Sequence, residues 1–285
     1  MNEENKNIVS ETPAKGEHKI IYCYDAYCGW CYGFSKVITR IAEEYKDKLP
    51  FEVLSGGMIF DEDPRHISVI APYIQKAYKN VEELTGVQFG EDFLWHIFNP
   101  DQSDWYPEST MPAIALCIFK EYHPEKAVQI AAAIQHALNY EGRDLTDKEA
   151  YRHLVHKFNI PEEGFYNKLA SEEYKEKAWY EFALVKQLQV TGFPAVLMQV
   201  SDSKFYLLAS GYTDFATLQQ RIDKVLEETA VYNRIFAPPR SFMFPCRLLA
   251  REAAVPKFRR LYVNVSMKYC VSTWLCTSLM YSLVT

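Results

Sequence analysis

The sequence holds no second C-x-x-C pair. Of its seven cysteines only Cys28 and Cys31, in "YDAYCGWCYGF", have that spacing; Cys117 stands alone, and Cys270 and Cys276 are six apart. A structural zinc site draws on about four ligands, commonly two such pairs. Histidines such as His153 and His156 would have to complete one here, and a polar helix flank explains those two more simply. Metal binding is the weaker reading, and no metal or cofactor is expected.

Other absences narrow the field. The first residues, "MNEENKNIVSETPAKGEHK", contain no apolar core of a secretory signal. The expectation is a disordered lead over 1–17, a reducing and cytoplasmic location, and cysteines that do not form a disulfide framework. No segment reaches the roughly 20 apolar residues of a membrane span. Residues 269–285 are 17 uncharged positions, but they are rich in Ser and Thr, so an anchor is disfavoured. There is no excess of positive charge: the net value is -6, which gives no reason to expect nucleic acid. That charge is uneven. From Phe236 onward seven basic residues face one acid, leaving 24 basic and 36 acidic residues before it, and the sign changes at "FAPPRSFMFPC". A boundary near Ile235 follows. No internal repeat or low-complexity tract is present. With 48% hydrophobic and 24% charged residues, the chain is neither disordered nor fibrous, and 285 residues suffice for one large domain or two small ones.

Apolar periodicity orders the rest. "HKIIYCYD" (18–25) predicts a buried strand that ends at a turn. Phe34, Val37, Ile38, Ile41, Ala42 and Tyr45 form a helical stripe within 31–48, and "PFEVLSGGM" (50–58) predicts a second strand stopped by Gly56 and Gly57. Helical segments follow over 65–84, 91–98, 110–122, 124–140, 147–158, 162–170 and 172–189, with Thr146 and Glu149 as a capping box. "PAVLMQV" and "KFYLLAS" flank a hairpin turn at Ser201–Ser203. A last helix opens at Thr213-Asp214, with Phe215, Leu218, Ile222, Val225 and Leu226 on one face, and ends near Val231. The order is β-α-β, helices, β-β-α: an α/β, thioredoxin-like fold. Its halves span 18–62 and 190–232, a large helical insertion occupies 63–189, and a tail over 233–285 fits no part of it.

Cys28 and Cys31 fall where strand gives way to helix. Unpaired amides and the dipole at a helix N-terminus stabilise a thiolate. A spacing of three brings the second sulfur within disulfide reach of the first. Cys28 is expected to be exposed and to attack; Cys31, one turn in, would be buried and resolve the mixed disulfide.

These residues carry a resemblance. "CGWCYGF" (28–34), "SGGM" (55–58), "TGVQFGEDF" (85–93), "PESTMPAIAL" (107–116), "YEGRDL" (140–145) and "VTGFPAVLM" (190–198) resemble, in the same order, the DsbA-like branch of the thioredoxin superfamily. The likeness is greatest to its predicted protein-disulfide isomerases without a signal peptide, and it covers about 18–230. It implies a DsbA-type fold, thiol–disulfide exchange at Cys28 and Cys31, and a cis proline at Pro194 facing the pair. A trans proline opening an edge strand is the plainer alternative. It also implies that Trp30, Phe193 and Pro194 contact substrate. Phe193 could instead narrow access to Cys28, and Trp30 is equally well read as a packing aromatic.

Lesser candidates carry bland readings. Asp25 could accept a proton in exchange, though a turn aspartate is the commoner role. Cys23 and Cys117 read as inert core cysteines. Arg143 lines a cleft only by resemblance. Gly56 and Gly57 permit a tight strand exit. The expected function is a thiol–disulfide oxidoreductase of reductase or isomerase type. Its partners would be thiol or disulfide proteins or small molecules, with glutathione as a candidate redox partner. One alternative is a glutathione-dependent isomerase or transferase on the same fold, against which the resemblance sets Cys28, where those relatives carry serine. The other is a non-catalytic peptide-binding module.

Overall fold

The computed structural model describes residues 18–60 and 64–236. The expected lead and tail lie outside the described residues, except that the last helix runs on past Val231. Two strands and a helix open the fold: β1 (Lys19–Tyr24), α1 (Gly29–Tyr45) and β2 (Phe51–Ser55). Seven helices follow: α2 (Ala71–Thr85), α3 (Glu91–Phe98), α4 (Thr110–Tyr122), α5 (Ala127–Asn139), α6 (Arg152–Lys157), α7 (Glu162–Leu169) and α8 (Glu172–Gln187). β3 (Ala195–Ser201), β4 (Lys204–Ser210) and α9 (Phe215–Phe236) close it.

The four strands form one mixed sheet in the order β2-β1-β3-β4. β1 runs parallel to β2 and antiparallel to β3, which pairs antiparallel with β4. Strand periodicity sorts β1 between two layers. Ile20, Tyr22 and Tyr24 join Phe34, Ile38 and Ile41 of α1 and Leu218 and Ile222 of α9 in the larger core. Ile21 and Cys23 join Leu54, Ala195 and Leu197 beneath Val185 of α8. Cys23 is therefore a core residue, and burial pushes its pKa up to about 12.

The helical insertion differs from expectation at its joints. Segments expected as continuous helices over 65–84, 124–140 and 147–158 each open with a single 3-10 turn, Ile67–Val69, Pro124–Lys126 and Lys148–Tyr151. Pro72 is in the first turn of α2 and Pro124 opens the 3-10 turn Pro124–Lys126, positions where a missing N–H is tolerated. The capping box at Thr146 and Glu149 does not form. Asp147 is the cap and accepts from the Glu149 N–H at 3.0 Å, while the Thr146 hydroxyl donates to Asp144 at 2.8 Å. The Asp147 carboxylate takes the Glu149 N–H that the Thr146 hydroxyl was expected to take, and Asp144 engages that hydroxyl as a donor.

One buried ion pair ties the insertion to the sheet. The Lys120 ammonium of α4 pairs with Glu181 of α8 and donates to the Val53 carbonyl at 2.7 Å. The second Glu181 oxygen accepts from the Ser55 N–H at 2.9 Å. Burial alone would lower the Lys120 pKa; the Glu181 carboxylate and the Cys117 thiol beside it outweigh this and raise it. Cys117 donates to Glu181 at 3.3 Å, and burial raises its own pKa. Lys120→Met leaves a buried carboxylate without its cation, and urea unfolding should show a loss of roughly 3 kcal/mol. A loss under about 1 kcal/mol, the worth of an exposed pair, would mean the pair does not anchor β2.

Candidate active site

β1 delivers the cysteine pair through a tight turn. After Tyr24 the chain reverses at Asp25–Tyr27, and the Cys28 N–H donates to the Asp25 carbonyl at 3.2 Å. The Asp25 carboxylate holds that turn. One oxygen accepts from the Tyr27 N–H at 3.0 Å and the Ser109 hydroxyl at 3.1 Å; the other accepts from the Met58 N–H at 2.7 Å. Burial raises its pKa, and these three donors pull the other way. Asp25 thus occupies the turn role, and none of its side-chain donors is a thiol.

Cys28 is the N-cap of α1, with extended φ/ψ of -81° and 106°. Its sulfur accepts from the Cys31 N–H at 3.3 Å, and its carbonyl accepts from the Tyr32 N–H at 3.0 Å. A cap atom takes the amides that the helix itself leaves unpaired. From the other half of the chain, the Phe193 carbonyl accepts from the Cys28 thiol at 3.6 Å. The sequence argued for an exposed Cys28, but the residue is only 6% exposed. It is set in the wall of a cavity beside Trp30 and Phe193 rather than on an open face. Cys31 is fully buried, as expected. Burial raises its pKa well above the usual thiol value, and the neighbouring Cys28 sulfur adds to the rise.

The cavity has a volume of about 470 Å³. Met58 and Phe60 after β2, Ile70, Tyr73 and Tyr78 around α2, and Phe89 before α3 line it together with Trp30 and Phe193. The wall is mainly apolar and aromatic, with Arg65 a charged contributor. The Phe193–Pro194 peptide is cis. Pro194 itself is buried and is not part of the cavity wall, so of the three expected substrate contacts only Trp30 and Phe193 border it. Gly56 is required next to Phe193: a Cβ there would lie 2.0 Å from the ring. Arg143 is held by Glu141 at 2.6 Å and does not line this cavity. His153 and His156 turn to different carboxylates, Glu141 and Glu162.

Several residues at the site were not singled out from the sequence. Phe89 and Ser109 lie in the stretches "TGVQFGEDF" and "PESTMPAIAL", whose likeness to the family was visible while their tertiary partners were not. Tyr22, behind the pair, looked like any apolar strand residue.

A strand, a turn and a helix capped by the first of two cysteines, set against a cis-proline turn from a distant strand, define a thioredoxin-class protein with an inserted helical layer. The family model for the DSBA-like thioredoxin domain matches residues 19–223. The chain belongs to that family, whose members are thiol–disulfide oxidoreductases. Among solved structures it is similar to a "putative protein disulfide isomerase" from Nitrosomonas europaea, with 26% identity and a TM-score of 0.65 over 74% of this chain and 98% of that one. The cytosolic disulfide reductase DsbM from Pseudomonas aeruginosa shares the fold at 24% identity and a TM-score of 0.57, covering 75% and 98%. The same reductase with GSH gives 23% and 0.56, covering 75% and 99%. No curated protein matches the chain.

Burial should keep the Cys31 thiol unreactive at neutral pH. In the intact reduced protein, brief iodoacetamide treatment at neutral pH should label Cys28 before Cys31, Cys23 or Cys117. In a Cys28→Ser variant, Cys31 should stay unlabelled at neutral pH. Its labelling should rise only well above the ordinary thiol range near 8.5, because a raised pKa delays thiolate formation. Peptide mapping reads both, and rapid neutral labelling of Cys31 would contradict the burial argument.

Proposed function

We propose that this protein is a thiol–disulfide oxidoreductase of the protein-disulfide reductase or isomerase type. Cys28 is the nucleophile, Cys31 the resolving thiol, and Trp30 and Phe193 form the substrate-binding edge, with the buried Pro194 holding the Phe193 turn in place behind it. The observation that carries this reading is the capped geometry. The Cys28 sulfur faces the amides of α1 on one side and an apolar cavity on the other, with Cys31 buried one turn away.

The chemistry balances as two exchanges. The Cys28 thiolate attacks one sulfur of a substrate disulfide, forming a mixed disulfide and releasing the first substrate thiolate. Cys31 then attacks Cys28; the Cys28–Cys31 disulfide forms and the second substrate thiol departs, reduced. Two molecules of a low-molecular-weight thiol, glutathione being the candidate, return the pair to the dithiol and leave as their own disulfide. When the mixed disulfide is instead attacked by another substrate thiol, the outcome is isomerisation.

Direction follows from what surrounds the nucleophile. Gly29 and Trp30 place no cation between the cysteines. Thiolate stabilisation rests on helix amides, which favours a reducing pair over a strongly oxidising one. A cytoplasmic setting suits this direction. Among the described residues no helix is long and apolar enough to cross a membrane.

The protein should accelerate insulin reduction by dithiothreitol, and Cys28→Ser should lose that acceleration. No acceleration by the wild type would favour a peptide-binding module without redox chemistry. A glutathione titration should place the pair nearer the thioredoxin value of about -270 mV than the DsbA value of about -120 mV. Trp30→His should move it in the oxidising direction, since a cation beside Cys28 stabilises the reduced form. An unmoved potential in that variant would refute the argument from the dipeptide.

A further inference from the structure

Tyr22 is the buried titratable group beside the pair to which the mechanism above gives no role. It stands in the middle of β1 with 1% exposure, its ring packed between Tyr24 at 5.7 Å and Phe34 at 5.9 Å. Buried hydroxyls are normally bonded, as Tyr151 is to the Leu145 carbonyl at 2.6 Å and Tyr32 to the Gln88 carbonyl at 2.8 Å; Tyr22, Tyr27 and Tyr166 are exceptions, and of these Tyr22 is the one set against the Cys31 sulfur. The Tyr22 hydroxyl makes no hydrogen bond of ordinary geometry, and the group placed to take one from it is the Cys31 sulfur. The polar groups set against it are the sulfurs of Cys31 and, beyond it, Cys28.

Cys31 has the complementary deficit. Cys28, as the cap, has the Cys31 N–H for its charge. Cys31 lies inside the first turn, is fully buried, and must still become an anion whenever it attacks or is expelled. The groups facing it are the Cys28 sulfur, the Asp25 carboxylate and the Tyr22 and Tyr24 phenols, with the Asp25 backbone as a further favourable contact. The Asp25 carboxylate carries charge of the wrong sign and is already committed to three donors.

We propose that the Tyr22 hydroxyl is the hydrogen-bond donor that carries Cys31 through its thiolate state in each half of the exchange cycle. This rests on the pair exchanging disulfides as described above. In the forward step Cys31 gives its proton to solvent and its sulfur attacks Cys28. The bond from Cys28 to the substrate sulfur breaks and its electron pair leaves with the substrate thiolate. In the return step an external thiolate attacks Cys28 and Cys31 is the leaving group. Tyr22 keeps its own proton throughout. Burial and the two neighbouring thiols raise its pKa well above 10, which rules it out as a base. A hydroxyl that bonds a neutral thiol poorly bonds the same sulfur far better once it carries charge, so its help is concentrated in the reacting state.

Tyr22→Phe tests this in the full-length protein. The probe is Ellman's disulfide: Cys28 takes up one thionitrobenzoate, and Cys31 then displaces it. Acid quenching and mass spectrometry of the Cys28 peptide follow the adduct through time. The variant should form the adduct at the wild-type rate and resolve it about ten- to a hundredfold more slowly, the worth of one hydrogen bond to an anion. The pH profile of resolution should shift upward, while the melting temperature stays equal or rises. A merely structural role would not move that profile. Resolution within about twofold of wild type, with an unshifted profile, overturns the proposal and leaves the redox assignment intact. A wild-type adduct that persists as it does in Cys31→Ser would instead overturn the redox assignment itself. If Tyr22→Phe does not fold, 3-fluorotyrosine at position 22, a stronger donor of nearly the same shape, should speed resolution; an unchanged rate there also overturns the proposal.

Discussion

Asp25 is bound from every direction, and the site depends on it. Its carboxylate takes donors from its own turn, from the backbone just past β2, and from the residue that precedes α4. Its carbonyl takes the Cys28 N–H and, at 3.0 Å, the side-chain amide of Gln135 on α5. Five donors from four parts of the chain converge on one residue at the point where a strand must stop and a helix begin. Burying a carboxylate is unfavourable unless such donors are present. The arrangement therefore holds only when the insertion, β2 and the turn are all in place. The cysteine pair inherits its geometry from that convergence.

The pair is asymmetric for reasons of position alone. Both cysteines belong to one helical turn, yet one sulfur caps the helix and borders a cavity while the other is sealed behind it. No charged side chain is needed to set the two sulfurs in such different surroundings. Phe193 adds to the difference by lending a backbone carbonyl to Cys28, and Gly56 allows it to come so close. In the proposed reaction, the apolar cavity alongside is the place for side chains flanking a substrate's own sulfur.

What was legible in the sequence was what is local. The strand of "KIIYCY", the stripe of α1, the spacing of Cys28 and Cys31 and the Phe-Pro pair before β3 are signals that a few neighbours create, and each lies where the sequence placed it. The exposure of Cys28 was misjudged, because a residue 165 positions away supplies its cover. The breaks into 3-10 turns escaped notice for a different reason. Apolar periodicity continues across them, and a change from one helical hydrogen-bond pattern to another leaves no mark in the spacing of apolar residues. The cap at Asp147 replaced the one at Thr146 through competition between near neighbours, which a motif match does not weigh. Tyr22 was invisible as a functional residue, since a buried strand tyrosine differs from its fellows only in whether its hydroxyl has found a partner.

The bond between Cys28 and the Phe193 carbonyl spans most of the described chain, and it sets an order in time. During synthesis both cysteines leave the ribosome long before the strand that will cover them. Until β3 is made and docks against β1, the Cys28 sulfur has its helix but neither its carbonyl nor the Phe193 side of its cavity wall. A nascent or prematurely terminated chain therefore bears a thiol unguarded by the fold, open to any oxidant or stray disulfide it meets. For this architecture, the site is completed only after nearly all of the domain has been synthesised.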